Sequence, residues 1–130
     1  MLNHVHADDV AQAFELAAAR PAAAGRSFHV VAEQAMTLRG LAAGAAGWFG
    51  REPVLEFVDW PEFEARAGAR PAAVTREHTF RGIAASIAAG QAVLGYAPRF
   101  SSLDALREAL AWLVRDGQVD VGGQVLEGES

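Results

Sequence analysis

The chain has 130 residues, one ordinary domain's worth, and sixteen Asp and Glu against eleven cations give it a net charge of −5. All eleven cations are arginine, which excludes mechanisms that need a lysine base, a Schiff-base lysine or a P-loop lysine, and the lack of cysteine excludes disulfides, zinc–thiolate sites and thiol nucleophiles. Alanine supplies 29 residues of a 52% hydrophobic total, so any core is thin in large side chains.

Leu2 to His6 reads as a short strand with Leu2, His4 and His6 on one face. Asp8 or Asp9 then caps a helix reaching about Arg20, in which Val10, Ala13, Phe14 and Ala17 keep helical spacing and Pro21 prevents continuation. Ser27-Phe-His-Val-Val-Ala32, short, β-branched and aromatic, predicts a buried strand. Thr37 caps a second helix with Leu38, Leu41, Ala45 and Trp48 on its stripe, and Gly50 suits the position just past its end. Pro53 to Val58 is the next strand candidate. Asp59-Trp-Pro-Glu62 has the spacing of a capping box and opens a short helix ending near Gly68. Residues 68–79 read as irregular. A helix follows from about Ala84 to Leu94, with Ile83, Ile87, Gln91 and Leu94 as its stripe and Gly95 as its stop. Ser101 or Ser102 opens the last helix, in which Leu103, Leu106, Leu110, Leu113 and Val114 keep a helical rhythm and Gly117 closes. The predicted class is α/β, helix-rich, with few short strands for five helices.

No apolar run approaches the roughly 18 to 20 residues of a membrane span. The opening Met1-Leu-Asn-His-Val-His-Ala-Asp-Asp has neither the basic nor the apolar region of a secretory signal. A membrane is therefore not an expected partner, and the cytoplasm is the expected location. Arginines scattered on an acidic chain form no phosphate-tracking stripe, so nucleic acid is not an expected partner either.

Four patterns could carry chemistry. Gly44-Ala-Ala-Gly-Trp-Phe-Gly50 fits G-x-x-G-x-x-G, but a dinucleotide site needs a strand running into the glycine turn and a helix starting there. Here the glycines fall in the helix begun at Thr37 and Gly50 ends it; Gly40, Gly44 and Gly47 share a face that suits close packing, and no cofactor-binding residue is expected. His4, His6 and Asp8 have a spacing that could hold a metal. No further ligand joins them, so no metal site is expected; His6 reads as a structural hydrogen-bonding residue, and Asp8 and Asp9 as cap and dipole partners. His78 lies with Arg76, Glu77 and Arg81 in the stretch read as a loop, while Arg66 and Arg70 flank the Gly68 turn. Guanidinium groups on loops can grip a phosphate or carboxylate in a bidentate way. The fourth pattern is a missing one: no G-x-S-x-G nucleophile elbow occurs.

Val5-His-Ala-Asp-Asp-Val-Ala11 resembles the V-H-V-D-D-V-A segment of extended short-chain dehydrogenases/reductases, the NAD-dependent epimerase/dehydratase group. Ser27-Phe-His-Val-Val is similar to their late sheet strand. Thr37 to Pro53 looks like their T-x-x-x-L helix ending in F-G-x-x-P. Ser86-Ile-Ala-Ala-Gly-Gln-Ala-Val-Leu-Gly-Tyr-Ala-Pro98 looks like their S-I-x-K-A-x-x-x-L-G-Y-x-P segment, and Ser101-Ser-Leu-Asp-Ala-Leu-Arg-Glu-Ala-Leu-Ala-Trp-Leu113 like their final helix. The family lysine before L-G-Y is Ala89 here, and its alanine is Gly90, which weakens a helix by roughly 1 kcal/mol.

The resemblance spans about residues 2–117, in the family's order, and covers only the family's last third. It implies a helix-rich, substrate-side C-terminal portion of a Rossmann-type enzyme over 1–117, followed by a flexible tail over 118–130. In the family, the N-terminal Rossmann part carries the cofactor turn and a Tyr-x-x-x-Lys pair. Here the one tyrosine is Tyr96, Phe100 stands four residues on, and there is no lysine. The implied substrate is a nucleoside-diphosphate sugar. NAD or NADP is implied for the full-length family and none for this chain, and no residue is expected to be catalytic. By fold-level analogy Arg66, Arg70 and His78 are the substrate-binding candidates. The implied partner is a Rossmann domain or a second copy, because Phe28, Val30 and Val31 lack strand neighbours. Two other readings are a non-catalytic interaction module and a small independent enzyme using His78 or the His4/His6 pair.

Overall fold

A computed structural model describes residues 1–80, 82 and 84–124. Among them six α-helices follow one another: α1 (Ala7–Ala19), α2 (Leu38–Gly47), α3 (Trp60–Ala67), α4 (Ala69–Phe80), α5 (Ala88–Leu94) and α6 (Ser102–Arg115), with a 3-10 turn at Pro21–Ala23. The chain is helix-rich, as its spacing predicts. No helix of the described residues is long and apolar enough to cross a membrane.

The strands expected at 2–6, 27–32 and 53–58 do not form a sheet. The one β pairing among the described residues is an antiparallel bridge in which Leu2 and Met36 exchange backbone bonds of 2.7 and 2.8 Å. Segments 2–6 and 27–36 still run together, joined by three backbone bonds and the Asn3 side chain, and Tyr96 holds segment 27–36 from the other direction. Asn3 Nδ2 donates to the Ala32 carbonyl, the Tyr96 hydroxyl to the Val31 carbonyl, and the Ala32 amide to the His4 carbonyl. A ladder needs paired bonds at successive steps, and here the Leu2–Met36 pair stands alone. Segment 53–58 has no strand beside it among the described residues, and Val54 is 98% exposed.

Stretch 68–79, read as irregular, is α4. Pro71 sits in its first turn, where a missing N–H costs nothing, and Ala72 is its one buried residue. A helix with so little apolar surface leaves no periodic trace. Gly68, at φ +87°, breaks α3 and lets α4 start at the next residue. Helix α5 starts later than expected, at Ala88, because the Ala85 amide is held by Asn3 Oδ1. Gly95 ends it in the left-handed conformation at φ +75°. Ile83, expected on its stripe, lies outside the described residues, as do Arg81 and residues 125–130 of the tail.

The core is small, as the alanine content implies. Ala13 of α1, Ile87, Leu94 of α5 and Tyr96 form its buried centre, with Leu16, Ala17, Phe28, Val30, Val31 and Val93 around it. Helices α2 and α6 pack beside it through Gly44. A Cβ added there would stand 2.6 Å from Leu103 Cδ2, whereas one at Gly47 would meet nothing. The close packing read from the glycine pattern thus holds at Gly44 and not at Gly47. Gly47→Ala is expected to stabilise the protein by roughly 0.5 kcal/mol through helix propensity. Gly44→Ala is expected to destabilise it by about 1 kcal/mol, because overpacking outweighs that gain. Urea melts of the two variants check this; equal shifts would mean that Leu103 swings clear without cost.

Candidate functional site

Helices α2, α3 and α4 and the segment 55–59 enclose a cleft of about 490 Å³, within the size range of small-molecule sites. Its walls are largely apolar, with Leu38, Phe57, Trp60 and Phe63 contributing the large surfaces and Thr75 and Thr79 the hydroxyls. Each wall has a local cause. Thr37 Oγ1 accepts from the Gly40 amide and starts α2, which presents Leu38, Arg39 and Ala42. Asp59 accepts from the Glu62 amide at 2.9 Å and starts α3 with Trp60 in its first turn. Only this half of the expected capping box forms, because the Glu62 carboxylate turns to Arg66 instead.

The charges on the cleft are unequal. Glu56 is held by Arg66 and Asp59 is occupied as a cap, whereas Arg39 has no ion-pair partner among the described residues. The cleft therefore offers aromatic faces, two hydroxyls and a guanidinium without a direct ion-pair partner, beside the carboxylates of Glu56 and Asp59. The Thr79 hydroxyl already donates to the Thr75 carbonyl at 2.8 Å and keeps its acceptor capacity.

The three candidates named from sequence sit elsewhere. Arg66 lies on α3 and forks onto Glu56 at 2.7 and 3.3 Å while also contacting Glu62. These two carboxylates, Glu56 first, hold its guanidinium charged still more firmly than usual. Arg66 thus braces segment 55–59, one wall of the cleft, against α3. Arg70 and His78 lie exposed on α4, not on a loop, and His78 Nδ1 is 2.9 Å from the Val74 carbonyl one turn back. None of the three is among the residues lining the cleft. Arg39, Trp60, Thr75 and Thr79 were not singled out. The tryptophan directly after the Asp59 cap was the available signal for a half-exposed aromatic at a helix start.

A second polar cluster joins the two ends of the chain. His6, not Asp8 or Asp9, caps α1: its Nδ1 accepts from the Asp8 amide at 3.1 Å. Its Nε2 lies 2.6 Å from Glu108 of α6, and its ring stacks on Phe100 at 3.9 Å. Asp9 is 0% exposed; its two oxygens accept from the Arg99 and Phe100 amides at 2.9 and 3.1 Å. Gln12 clasps Ala97 through both its amide and carbonyl. His4 and Ser102 are joined in the same way, backbone to hydroxyl. His6 therefore serves as cap and packing residue, His4 is held through its backbone, and no group of three or more His, Asp or Glu side chains suited to a metal occurs among the described residues.

Two titrating groups register this cluster. Burial raises the Tyr96 hydroxyl above the ordinary phenol value, and the nearby Asp9 charge adds to it. The stability tied to that neutral phenol is whole below the ordinary phenol range and fades as pH rises through the folded value. Asp104 is held below the ordinary carboxylate value, chiefly by the Ser101 hydroxyl and then by the Ser101 amide. Its contribution is whole above that ordinary value and fades as pH falls. Ser101 and Asp104 form the reciprocal box that starts α6.

No protein-family model, curated protein or solved structure matches the chain.

Proposed function

We propose that the chain is the substrate-side unit of an enzyme of the NAD-dependent epimerase/dehydratase kind, acting on nucleoside-diphosphate sugars and without catalytic power of its own. One observation carries the reading: the segments that bear the resemblance are bonded to one another. Asp9 of the V-H-A-D-D-V-A stretch accepts from the amides of Arg99 and Phe100, which follow L-G-Y-A-P, and Tyr96 of that stretch donates to Val31 of the late-strand segment. The cleft adds chemical support. Trp60, Phe63 and Leu38 suit a nucleobase, Arg39 a diphosphate oxygen, and the threonines the hydroxyls of a ribose or sugar. The general base and the cofactor turn come from a Rossmann-type half, because the chain has no lysine and its glycine pattern begins inside α2, with Gly50 past the helix end.

Titration calorimetry with a panel of nucleoside-diphosphate sugars tests the reading. Binding is expected for at least one member, weakened about tenfold by Arg39→Ala. No measurable binding of NAD or NADP is expected, and no turnover when both are supplied. Micromolar cofactor binding lost in Gly47→Val, or turnover by the chain alone, would contradict it. A second reading, an interaction module, is favoured by the 73% exposure of Phe14 in the middle of α1.

A further inference from the structure

We propose that segment 52–58 is a strap that opens and closes the cleft, with the fork of Arg66 onto Glu56 as its latch. The proposal rests on the reading of this cleft as the binding site and adds how a ligand gains entry.

The strap is tied at both ends and at one point between them. Before it, the Arg51 amide donates to the Ala46 carbonyl at 3.0 Å. After it, the Asp59 side chain and carbonyl accept from the Glu62 and Phe63 amides at 2.9 and 3.0 Å. No backbone N–H or C=O of 52–58 makes a hydrogen bond among the described residues. The segment's one polar tie among those residues is the Glu56 carboxylate, which accepts from Arg66 Nη1 and Nη2 at 2.7 and 3.3 Å. Apolar contact adds little, since Val54 is 98% and Phe57 80% exposed. Yet Leu55, Phe57 and Val58 form one wall of the cleft. A wall with so few buried contacts belongs to the low-stability end of a fold, from which gating segments are drawn.

The latch is suited to release. Its two side chains are more than half exposed, 52% for Arg66 and 69% for Glu56, so water and salt compete with it. Arg66 also pairs with Glu62 one turn back on α3. When Glu56 leaves, Glu62 still compensates the guanidinium, and Glu56 is taken up by water. Trp60 and Phe63 stay behind on α3, where Arg76 of α4 lies 5.7 Å over the Trp60 ring. Opening therefore bares the aromatic floor of the cleft without moving it, and closing lays the Phe57 ring over a bound ligand.

Acrylamide quenching of Trp60, left as the single tryptophan by Trp48→Phe and Trp112→Phe, reads access to the cleft. It needs no ligand, so it judges the strap whether or not a nucleoside-diphosphate sugar binds. At low salt, Arg66→Gln and Glu56→Ala are each expected to raise the quenching constant about twofold. Raising the salt from about 0.01 M to about 1 M is expected to do the same in the parent and to add nothing in either variant. A merely structural loss would not give that pattern. Nitrogen-15 relaxation is expected to show the order parameters of amides 54–58 falling below about 0.6 in the variants, while α3 and α4 stay near 0.85. Quenching and order parameters unchanged by both substitutions overturn the proposal, because the segment is then a fixed wall. A parent whose 54–58 amides are already below about 0.6 at low salt overturns it too, because no latch then holds them. Equal loosening of α3 and α4 with the strap also overturns it, since Arg66 is then a support of the helices and not a latch.

Discussion

Asp9→Ala is expected to lower stability by about 3 to 5 kcal/mol, much of the roughly 5 to 15 kcal/mol that holds a domain of this size. The carboxylate is 0% exposed and has one backbone donor on each oxygen, Arg99 on Oδ1 and Phe100 on Oδ2. Truncation leaves both amides without an acceptor where water cannot easily replace it, at about 1 to 3 kcal/mol each. The loss also loosens the residue before the Ser101 cap, so α6 weakens with it. Asp9→Asn is no mild change here. It keeps one acceptor and turns an NH2 donor toward the other amide, so a cost of about 2 kcal/mol is expected. The Arg99 side chain adds little to this, because it is 60% exposed and its Nε stands 3.8 Å from Asp9. Urea midpoints of the Ala and Asn variants and of Arg99→Ala test the ranking. If Arg99→Ala costs as much as Asp9→Ala, the ion pair and not the amides holds the junction.

What could be read from the residues and what could not divides along range. Caps are local, so Thr37, Asp59 and Ser101 announce α2, α3 and α6 by their own side chains, and Gly95 announces the end of α5. The stripes of α1 and α6 are legible because one face of each is apolar, although Phe14, expected on the α1 stripe, stands 73% exposed. Helix α4 fails that test, having Ala72 as its one buried residue, and its helicity comes from packing against α3. The strands fail for the opposite reason. Ser27 to Ala32 has the right side chains, but a strand exists only through a neighbour far along the chain, and β-branching does not supply one. The same limit explains the site. Arg66 was conspicuous as a charge, and Glu62, four residues before it, is a partner visible in the sequence. Glu56, which takes its fork, lies ten residues back across a turn. Charge in a sequence shows how much cation there is and not how much is already spent. Arg39 gives no such signal, because the absence of a partner leaves no mark in a sequence.

His6 carries the other large expected effect. Its ring does three jobs with its two nitrogens and one face: Nδ1 caps α1, Nε2 meets Glu108, and the face lies on Phe100. Because Nδ1 must accept from the Asp8 amide, the proton of the neutral ring belongs on Nε2, which donates to the Glu108 carboxylate. Nitrogen-15 NMR is expected to find that tautomer. His6→Ala removes all three contacts: a helix cap of about 1 kcal/mol, an aromatic stack of about 0.5 to 1.5 kcal/mol, and a hydrogen bond to a Glu108 carboxylate that is 63% exposed and so counts for less than about 1 kcal/mol. A loss of about 2 to 3 kcal/mol is expected. His6→Asn restores the cap acceptor alone and is expected to recover about 1 kcal/mol of it. Glu108→Gln is expected to cost less than about 0.5 kcal/mol, since the exposed end of the contact is readily hydrated. If Glu108→Gln matched His6→Ala, the ion contact would dominate and the cap would be incidental. If His6→Asn recovered nothing, α1 would draw its start from the Asp9 junction rather than from the ring.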